Sequence, residues 1–132
     1  MHIHFIGIGG IGVSALAKYY LASGAAVSGS DLASSEITTD LARRGATIVI
    51  GPQSAFNVPQ NTARVIHTAA VRATNPELKE AKQRKIPVKN YAEAVGEITR
   101  RFKTITISGS HGKSTTTAMT ALVLEEGYCD PT

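Results

Sequence analysis

The chain opens with HIHFIGIGGIG, residues 2–12, where a short apolar segment runs directly into a glycine-rich turn. The segment is apolar and β-branched enough for a buried strand, and a helical pattern follows it. Glycines at positions 7, 9 and 12 form GxGxxG, which between a strand and a helix is typical of a loop that binds a pyrophosphate. Gly7 permits a tight turn, Gly9 lets the backbone approach the pyrophosphate, and Gly12 lets helix and strand pack closely. The alternative is that these glycines only form a turn in an α/β core.

An acidic residue lies at the position where a pyrophosphate-binding loop is usually accompanied by a carboxylate that binds the ribose. Asp31 follows the second predicted strand, residues 26–28, which we expect to end at Gly29-Ser30-Asp31. From there a carboxylate accepts a hydrogen bond from a ribose hydroxyl, while the pyrophosphate lies at the N-terminus of the first helix. The pattern indicates a ribose joined to a pyrophosphate, and it fits NAD as well as another nucleotide diphosphate.

Short apolar segments alternate with helical patterns along the chain, which predicts βαβ units. We therefore predict an α/β fold, a Rossmann-like parallel sheet with helices on both faces. The predicted strands are residues 2–6, 26–28, 47–50, 63–67, 86–89 and 104–108. The predicted helices are residues 11–23, 35–44, 76–84, 91–102 and 115–126, the last of these following a second glycine-rich motif. In Asn75-Pro76-Glu77, Asn75 caps a helix, Pro76 needs no N–H there, and Glu77 faces the positive helix end.

A second phosphate-binding pattern, SGSHGKST, occupies residues 108–115 after a predicted strand. Lys113 is placed to reach the β- and γ-phosphates of a nucleotide, and the hydroxyl of Ser114 is placed to bind Mg²⁺. The full Walker pattern requires a glycine where Ile107 stands, so only its GxxGK[ST] portion is present. The alternative is a polar loop that caps a helix, which would set a lysine against the helix dipole without an anion.

Composition excludes several classes of protein. The chain has 132 residues, 42% hydrophobic and 18% charged, with no apolar run long enough for a membrane span. The net charge of +4 comes from scattered basic residues with few aromatic ones, which argues against a nucleic-acid partner. The single cysteine, Cys129, excludes an internal disulfide and indicates the cytoplasm. His2 and His4 lie on one strand without further metal ligands, so we expect them to be packed or near the surface.

Two phosphate motifs in one short chain separate the functional hypotheses. A dehydrogenase needs the first motif only, and a simple kinase needs the second only. Two functional hypotheses stay open from the motifs alone. One is a Rossmann NAD-binding module of an oxidoreductase, and the other is a separate nucleotide-binding regulator.

The ordered segments HFIGIGGIG, SGSD, NPE, IPV and GSHGKSTTT resemble the N-terminal part of a Mur ligase, most closely the alanine-adding branch of that family. The resemblance implies an ATP-dependent enzyme of peptidoglycan biosynthesis that joins L-alanine to the lactyl carboxylate of UDP-N-acetylmuramate through an acyl phosphate. It implies ATP and Mg²⁺ as cofactors. Residues 1–102 are then the UDP-sugar-binding domain, and residues 103–132 begin a truncated ATP-binding domain. We expect no complete catalytic site within these 132 residues.

The resemblance also assigns site residues. The residues expected to bind the UDP-sugar are Gly7, Gly9, Gly10, Ile11, Gly12, Ser30, Asp31, His67 and Thr68. The residues expected to bind ATP are Gly109, Ser110, His111, Gly112, Lys113, Ser114 and Thr115, with Ser114 also on Mg²⁺. His67 is chosen because ligands bind at the carboxyl ends of parallel strands.

Several positions depart from the family pattern, among them Thr68-Ala69-Ala70-Val71, where this branch commonly has Ser-Ser-Ala-Ile. Ser110 and Ser114 replace two threonines and keep the hydroxyl, whereas Ala69 lacks a hydroxyl that this branch commonly has. A ligase that recycles the tripeptide shares the general plan and is the alternative within the family.

Overall fold

The computed structural model describes residues 1–131. These residues form five strands and five helices, together with a short 3₁₀ turn at Ala55–Asn57. In chain order they are β1 (His2–Ile6), α1 (Ile11–Ala22), β2 (Ala26–Asp31), α2 (Glu36–Arg43), β3 (Thr47–Ile50), β4 (Arg64–His67), α3 (Pro76–Gln83), β5 (Val88–Asn90), α4 (Tyr91–Thr99) and α5 (Lys113–Glu126). Within this described part, no helix combines the length and apolar character needed to cross a bilayer.

All five strands lie in one parallel sheet of order β3-β2-β1-β4-β5. The chain moves outward from β1 to β3, then returns to the other side of β1 to form β4. The α/β fold with a Rossmann-like parallel sheet is therefore confirmed. Ligands of such sheets bind at the carboxyl ends of the strands where the order reverses, which here is between β1 and β4.

Side chains of β1 alternate between two cores, one on each face of the sheet. Ile3 and Phe5 face the core under α1, α2 and α4, and Ile6 faces the core under α3. The first core comprises Ile3, Phe5, Ile8, Val13, Leu16, Ala17, Tyr20, Val27, Leu41, Ala46, Ile66 and Ala94. The second comprises Ile6, Val58, Val65, Leu78 and Ala81. Helices thus cover both faces, as predicted.

Helix α3 begins where the sequence places it. The side-chain oxygen of Asn75 accepts hydrogen bonds from the N–H groups of Glu77 and Leu78, at 2.8 and 3.1 Å, and Pro76 is the first helical residue. This cap matters for the site because Asn75 and Pro76 stand at the carboxyl side of the sheet.

Strand β2 is longer than predicted, because it continues through Gly29 to Asp31. A Cβ atom at Gly29 would lie 2.6 Å from the side chain of Ile8 and 2.8 Å from the carbonyl of Phe5. The glycine therefore allows a close approach of β1 and its loop within the strand instead of ending the strand.

The chain divides into two compact units, Met1–Ile98 and a second that begins at Thr99. The prediction of a strand at residues 104–108 is wrong, because these residues form no strand. A strand needs a hydrogen-bonded neighbour, and the described part of the second unit holds no other strand to pair with. Helix α5 forms as predicted but buries no residue, and its Met119 and Leu122 are exposed.

Candidate functional site

The glycine-rich loop turns sharply at the end of β1. Gly7 has a φ of +76°, and the N–H groups of Gly7 and Ile8 donate to the carbonyl of Ser30, at 2.9 and 3.0 Å. A Cβ atom at Gly7 would lie 2.5 Å from the methyl group of Thr68. Both the backbone angle and the lack of space require glycine here, as the interpretation of a tight turn expects.

Gly9 lies directly against the carboxylate of Asp31. Its N–H donates to Oδ2 of Asp31 at 2.8 Å, and the N–H of Leu32 donates to Oδ1 at 2.8 Å. A Cβ atom at Gly9 would lie 2.8 Å from that Oδ2 and 3.2 Å from the methyl group of Thr38. Asp31 therefore holds the loop in place, and a ribose hydroxyl would share an oxygen that already accepts a backbone hydrogen bond.

Gly12 makes room for an aromatic ring. A Cβ atom there would lie 2.7 Å from Cζ and 3.0 Å from the hydroxyl oxygen of Tyr91. Tyr91 begins α4, which follows β5. The space at Gly12 therefore admits the ring of Tyr91, and close packing of helix on strand at Gly12 stays a prediction.

A cavity of about 720 Å³ opens beside this loop. It lies at the carboxyl ends of β1, β2 and β4 and at the N-terminus of α3. Its lining residues are Gly7, Gly9, Gly10, Asp31, Leu32, Ala33, Ser34, Ser35, Gln53, Thr68, Ala70, Val71, Arg72, Thr74, Asn75 and Pro76. Arg72 is the only basic residue among them, and it gives this wall a positive charge.

A second cavity, of about 570 Å³, lies on the other side of the loop. Its lining residues are Gly10, Ile11, Gly12, Val13, His67, Thr68, Ala69, Asn90, Tyr91 and Ala92. Gly10 and Thr68 line both cavities. We call these two cavities the larger cavity and the smaller cavity.

The two cavities bring together the residues predicted to bind a UDP-sugar, with one exception. Ser30 lines neither cavity, since it is buried and its hydroxyl donates to Glu77 at 2.7 Å. The geometry thus gives Ser30 a partner within the protein, whereas the residues on either side of the loop face open space.

A buried carboxylate in the first turn of α3 makes contacts that the sequence analysis did not predict. Glu77 is fully buried, and its Oε2 accepts hydrogen bonds from Nε2 of His4 at 2.9 Å and from Ser30 at 2.7 Å. Its Oε1 accepts from the amide of Asn57 at 3.0 Å. We call Glu77, His4, Ser30 and Asn57 the Glu77 cluster. Burial raises the pKa of Glu77, but the hydrogen bonds from His4, Asn57 and Ser30 lower it by more, so it lies below its ordinary value.

The Glu77 cluster joins the elements that carry the larger cavity. His4 lies on β1 and Ser30 on β2, and Glu77 is in the first turn of α3. Next to it, Asn75 caps that helix and donates to the side chain of Gln53, and both of these residues line the cavity. The sequence contained only a weak indication of this cluster. The alternation of side chains along strands puts His4 and Ser30 on the same face of the sheet, but it does not identify the glutamate far along the chain that they contact.

His4 is packed, as expected. Its other ring nitrogen, Nδ1, shares a hydrogen bond of 2.9 Å with Ser28, whose hydroxyl also bonds Nε2 of His2 at 2.9 Å. Within residues 1–131, no group of three or more histidine, cysteine, aspartate or glutamate side chains is arranged to hold a metal ion.

The second glycine-rich motif is exposed and leads directly into α5. Gly112 has a φ of +77° and precedes the first helical residue, Lys113, whose ammonium group donates to the carbonyl of Gly109 at 2.6 Å. The first turn of α5 contains no acidic residue, and Lys113 forms no salt bridge with a described carboxylate. A helix N-terminus with free N–H groups and an unneutralised lysine suits an anionic phosphate. The seven residues predicted to bind ATP, positions 109–115, are all exposed.

Comparison with known proteins decides the family. The family model described as "Mur ligase family, catalytic domain" matches residues 2–103. The chain belongs to the Mur ligase family.

Its relatives among Mur ligases align along nearly the whole chain. The UDP-N-acetylmuramate–L-alanine ligase of Lachnospira eligens is 46% identical over 100% of this chain and 29% of its own length. The enzyme of the same name from Syntrophus aciditrophicus is 47% identical over 99% of this chain and 27% of its own. The chain thus spans less than a third of the length of these Mur ligases.

Solved structures of Mur ligases share the fold. The UDP-N-acetylmuramate–alanine ligase of Thermotoga maritima is 40% identical, with a TM-score of 0.86 over 95% of this chain and 29% of that one. The murein peptide ligase of Psychrobacter arcticus is 27% identical, with a TM-score of 0.85 over 95% of this chain and 26% of that one.

Proposed function

We propose that this chain is the UDP-sugar-binding part of a UDP-N-acetylmuramate–L-alanine ligase, an ATP-dependent enzyme of peptidoglycan biosynthesis. The observation that carries the proposal is the similarity to ligases of that name along the whole chain, including both phosphate motifs. We place the activity in the cytoplasm, in keeping with a single cysteine that excludes an internal disulfide.

In this proposal the diphosphate of UDP-N-acetylmuramate lies on the glycine-rich loop at the N-terminus of α1. The N–H groups of Ile11, Gly12 and Val13 have no partner within the helix, and the first turn of α1 contains no acidic residue. Asp31 stands beside the larger cavity, where its Oδ oxygens reach both the loop and a ribose hydroxyl. These contacts support a nucleoside diphosphate as the ligand.

ATP is proposed to bind the second motif, with Lys113 at its β- and γ-phosphates and Ser114 on Mg²⁺. The fit rests on the free helix N-terminus, on Gly112 in its left-handed conformation, and on a lysine without a carboxylate partner. When bound, ATP supplies the phosphate that activates a carboxylate.

The reaction of the complete ligase follows from these two ligands. The γ-phosphate passes to the lactyl carboxylate of UDP-N-acetylmuramate, the amine of L-alanine attacks the acyl phosphate, and inorganic phosphate leaves. The part played by this chain is to hold the sugar nucleotide on one motif and the triphosphate on the other.

Titration calorimetry with UDP-N-acetylmuramate and with NAD tests the proposal. We expect the sugar nucleotide to bind more tightly than NAD, whereas tighter binding of NAD would favour the oxidoreductase module. Gly9→Val should abolish binding, because its side chain would collide with Asp31 and enter the space of the diphosphate. Gly96→Val is the matched control, since a Cβ atom there meets nothing within 4 Å.

A tripeptide-recycling ligase is a second candidate, because murein peptide ligases share the fold at a TM-score of 0.85. Their lower identity, 27% and 25% against 40% for the alanine ligase, favours the first proposal. Assays of the complete ligase with L-alanine and with the tripeptide as the amine substrate separate the two.

A further inference from the structure

A chain of hydrogen bonds crosses one face of the sheet and ends at Glu77. It begins at Oδ1 of Asn61, which lies 2.7 Å from Nδ1 of His2. Nε2 of His2 and Nδ1 of His4 each lie 2.9 Å from the hydroxyl oxygen of Ser28. Nε2 of His4 then lies 2.9 Å from Oε2 of Glu77. We call Asn61, His2, Ser28, His4 and Glu77 the histidine relay.

The histidine relay runs from an accessible end to a buried end. Asn61 is exposed and His2 is half-buried, whereas Ser28, His4 and Glu77 are buried. The two histidines share one face of β1 because alternate side chains of a strand point to the same side of the sheet. The buried end lies in the first turn of α3, whose first residues line the larger cavity. The relay therefore connects the surface with the interior of the first unit.

Glu77 needs a positive charge close to it. Burial raises its pKa, but the hydrogen bonds from its three neighbours lower the pKa by more, so the group is a carboxylate at neutral pH. A carboxylate removed from water is costly unless a cation compensates it. Among the described residues, His4 is the only basic group that pairs with Glu77.

The elements around the histidine relay supply no other counter-charge. Strand β2 contains no basic residue, and the segment 51–61, whose 3₁₀ turn lies against α3, contains no charged one. Arg84, at the end of α3, pairs with Glu80 at 3.8 Å. Arg64 and Lys89, on β4 and β5, both pair with Glu97. The compensating charge must therefore come from the histidines.

A count of protons shows what the histidine relay requires. Its four hydrogen bonds need one proton each, and the groups at its two ends, the oxygen of Asn61 and the carboxylate of Glu77, can only accept. A neutral imidazole supplies one proton, and so does the hydroxyl of Ser28. Two neutral histidines and one serine thus leave one of the four bonds without a proton. An additional proton on either histidine completes the relay.

This additional proton has two equivalent positions. When His4 is charged, its Nδ1 donates to Ser28, and Ser28 donates to Nε2 of His2. When His2 is charged, its Nε2 donates to Ser28, and Ser28 donates to Nδ1 of His4. The first arrangement becomes the second when Nδ1 of His4 passes its proton to the Ser28 oxygen, which gives its own proton to Nε2 of His2. In both arrangements His4 donates to Glu77 and His2 donates to Asn61.

We propose that His2 and His4 share one proton through Ser28, and that this proton is the counter-charge of Glu77. The histidine relay is then a proton-binding site built into the face of the sheet. The shared charge allows Glu77 to remain a buried carboxylate that also accepts hydrogen bonds from Ser30 and Asn57. The relay goes beyond the proposed function, since it exists whether or not a nucleotide is bound.

Nitrogen-15 NMR of the imidazole rings tests the proposal on the 132-residue chain at about pH 7.5. The shifts of the ring nitrogens distinguish a neutral ring from a charged one. We expect one positive charge in total on His2 and His4, divided between the two rings. A blocked histidine peptide is the reference, and it is almost neutral under these conditions because its pKa is about 6.5.

Glu77→Gln removes the charge that the proton compensates. In this variant both rings should become neutral at the same pH, although His2 does not contact residue 77. Glu80→Gln is the matched control, since it makes the same change one turn later in α3, outside the histidine relay, and should leave both rings as they are in the wild type. Circular dichroism melting curves confirm that the variants are folded.

Ser28→Ala removes the link between the rings and leaves the contact of His4 with Glu77 in place. In the Ser28→Ala background, Glu77→Gln should no longer change the signals of His2, because only the Ser28 hydroxyl joins the two rings. A purely structural role of Ser28 would not produce this loss of coupling.

The wild-type spectrum by itself can overturn the proposal, so the result does not depend on how well a variant folds. Two neutral rings would show that Asn61 turns its amide nitrogen towards His2 and that no additional proton is held. Two charged rings would exclude sharing. A charge confined to His4, with the signals of His2 unchanged by Glu77→Gln, would show a simple ion pair with Glu77 instead of a relay.

Discussion

Replacement of Glu77 by leucine should strongly destabilise the first unit, because the Glu77 side chain is buried and other buried groups depend on it. The substitution leaves His4, Ser30 and Asn57 without the acceptor that they share at 2.7 to 3.0 Å. Removing one member of a buried charged pair typically costs about 3–5 kcal/mol, because the remaining polar groups stay buried and unpaired. A domain of this size has a free energy of unfolding of about 5–15 kcal/mol, so the variant should be only marginally stable.

Urea unfolding followed by circular dichroism measures this cost. Glu80→Leu is the matched control, since it makes the same change one turn later in α3, where Glu80 forms a partly buried ion pair with Arg84 at 3.8 Å. That control should cost at most about 1 kcal/mol. A Glu77→Leu chain within about 1 kcal/mol of the wild type would refute the reasoning, because a satisfied buried carboxylate cannot be removed so cheaply.

The same carboxylate predicts a dependence of stability on pH. Its pKa in the folded chain lies below the ordinary value of 4.5, so its contribution is fully present above that value and is lost as the pH falls through the folded pKa. In Glu77→Gln, which keeps the shape and most of the hydrogen bonds, stability should therefore fall less steeply on acidification than in the wild type. Equal acid sensitivity of the two chains would show that Glu77 does not titrate as argued.

Three further predictions concern other parts of the chain. Gly7→Ala should lower the free energy of unfolding by more than about 1 kcal/mol, because φ at Gly7 is +76° and the new Cβ would lie 2.5 Å from the methyl group of Thr68. Gly96→Ala, the control, should not have this effect, and thermal melts of the two variants measure the difference. Hydrogen bonds from Lys18 and then Arg44 hold the pKa of Asp40 at about 2 instead of 3.8, so its ion pairs should support stability above pH 3.8 and lose it towards pH 2. Asp40→Asn should abolish that acid-dependent part in low salt, as seen in melts across this pH range. The 132-residue chain with ATP, Mg²⁺, UDP-N-acetylmuramate and L-alanine should release no phosphate in a coupled assay; turnover that needs both substrates and is lost in Lys113→Ala would contradict this.

Features that depend on neighbouring residues could be predicted well. The cap of α3 by Asn75 and the tight turn at Gly7 follow from side-chain chemistry and backbone freedom within a few residues. The order of strands and helices follows from the alternation of apolar patterns, and this order led to the parallel sheet. The glycine-rich loop could therefore be located before any tertiary contact was known.

Features that depend on a distant partner could not be predicted. Residues 104–108 have the composition of a strand, but a strand also requires a neighbour, and their own unit provides none in its described part. Gly29 looked like the end of β2, yet it allows β1 and its loop to approach closely.

By itself, the sequence of this Mur ligase chain determined its α/β fold, the position of its two phosphate motifs and the residues around the first of them. Only the tertiary structure decided which groups those residues face. His4 and Glu77 meet across 73 residues of chain, and Gly12 meets Tyr91 from another helix. The physical reason is that local sequence governs backbone conformation, whereas the pairing of buried polar groups and the filling of space depend on how the sheet brings distant segments together.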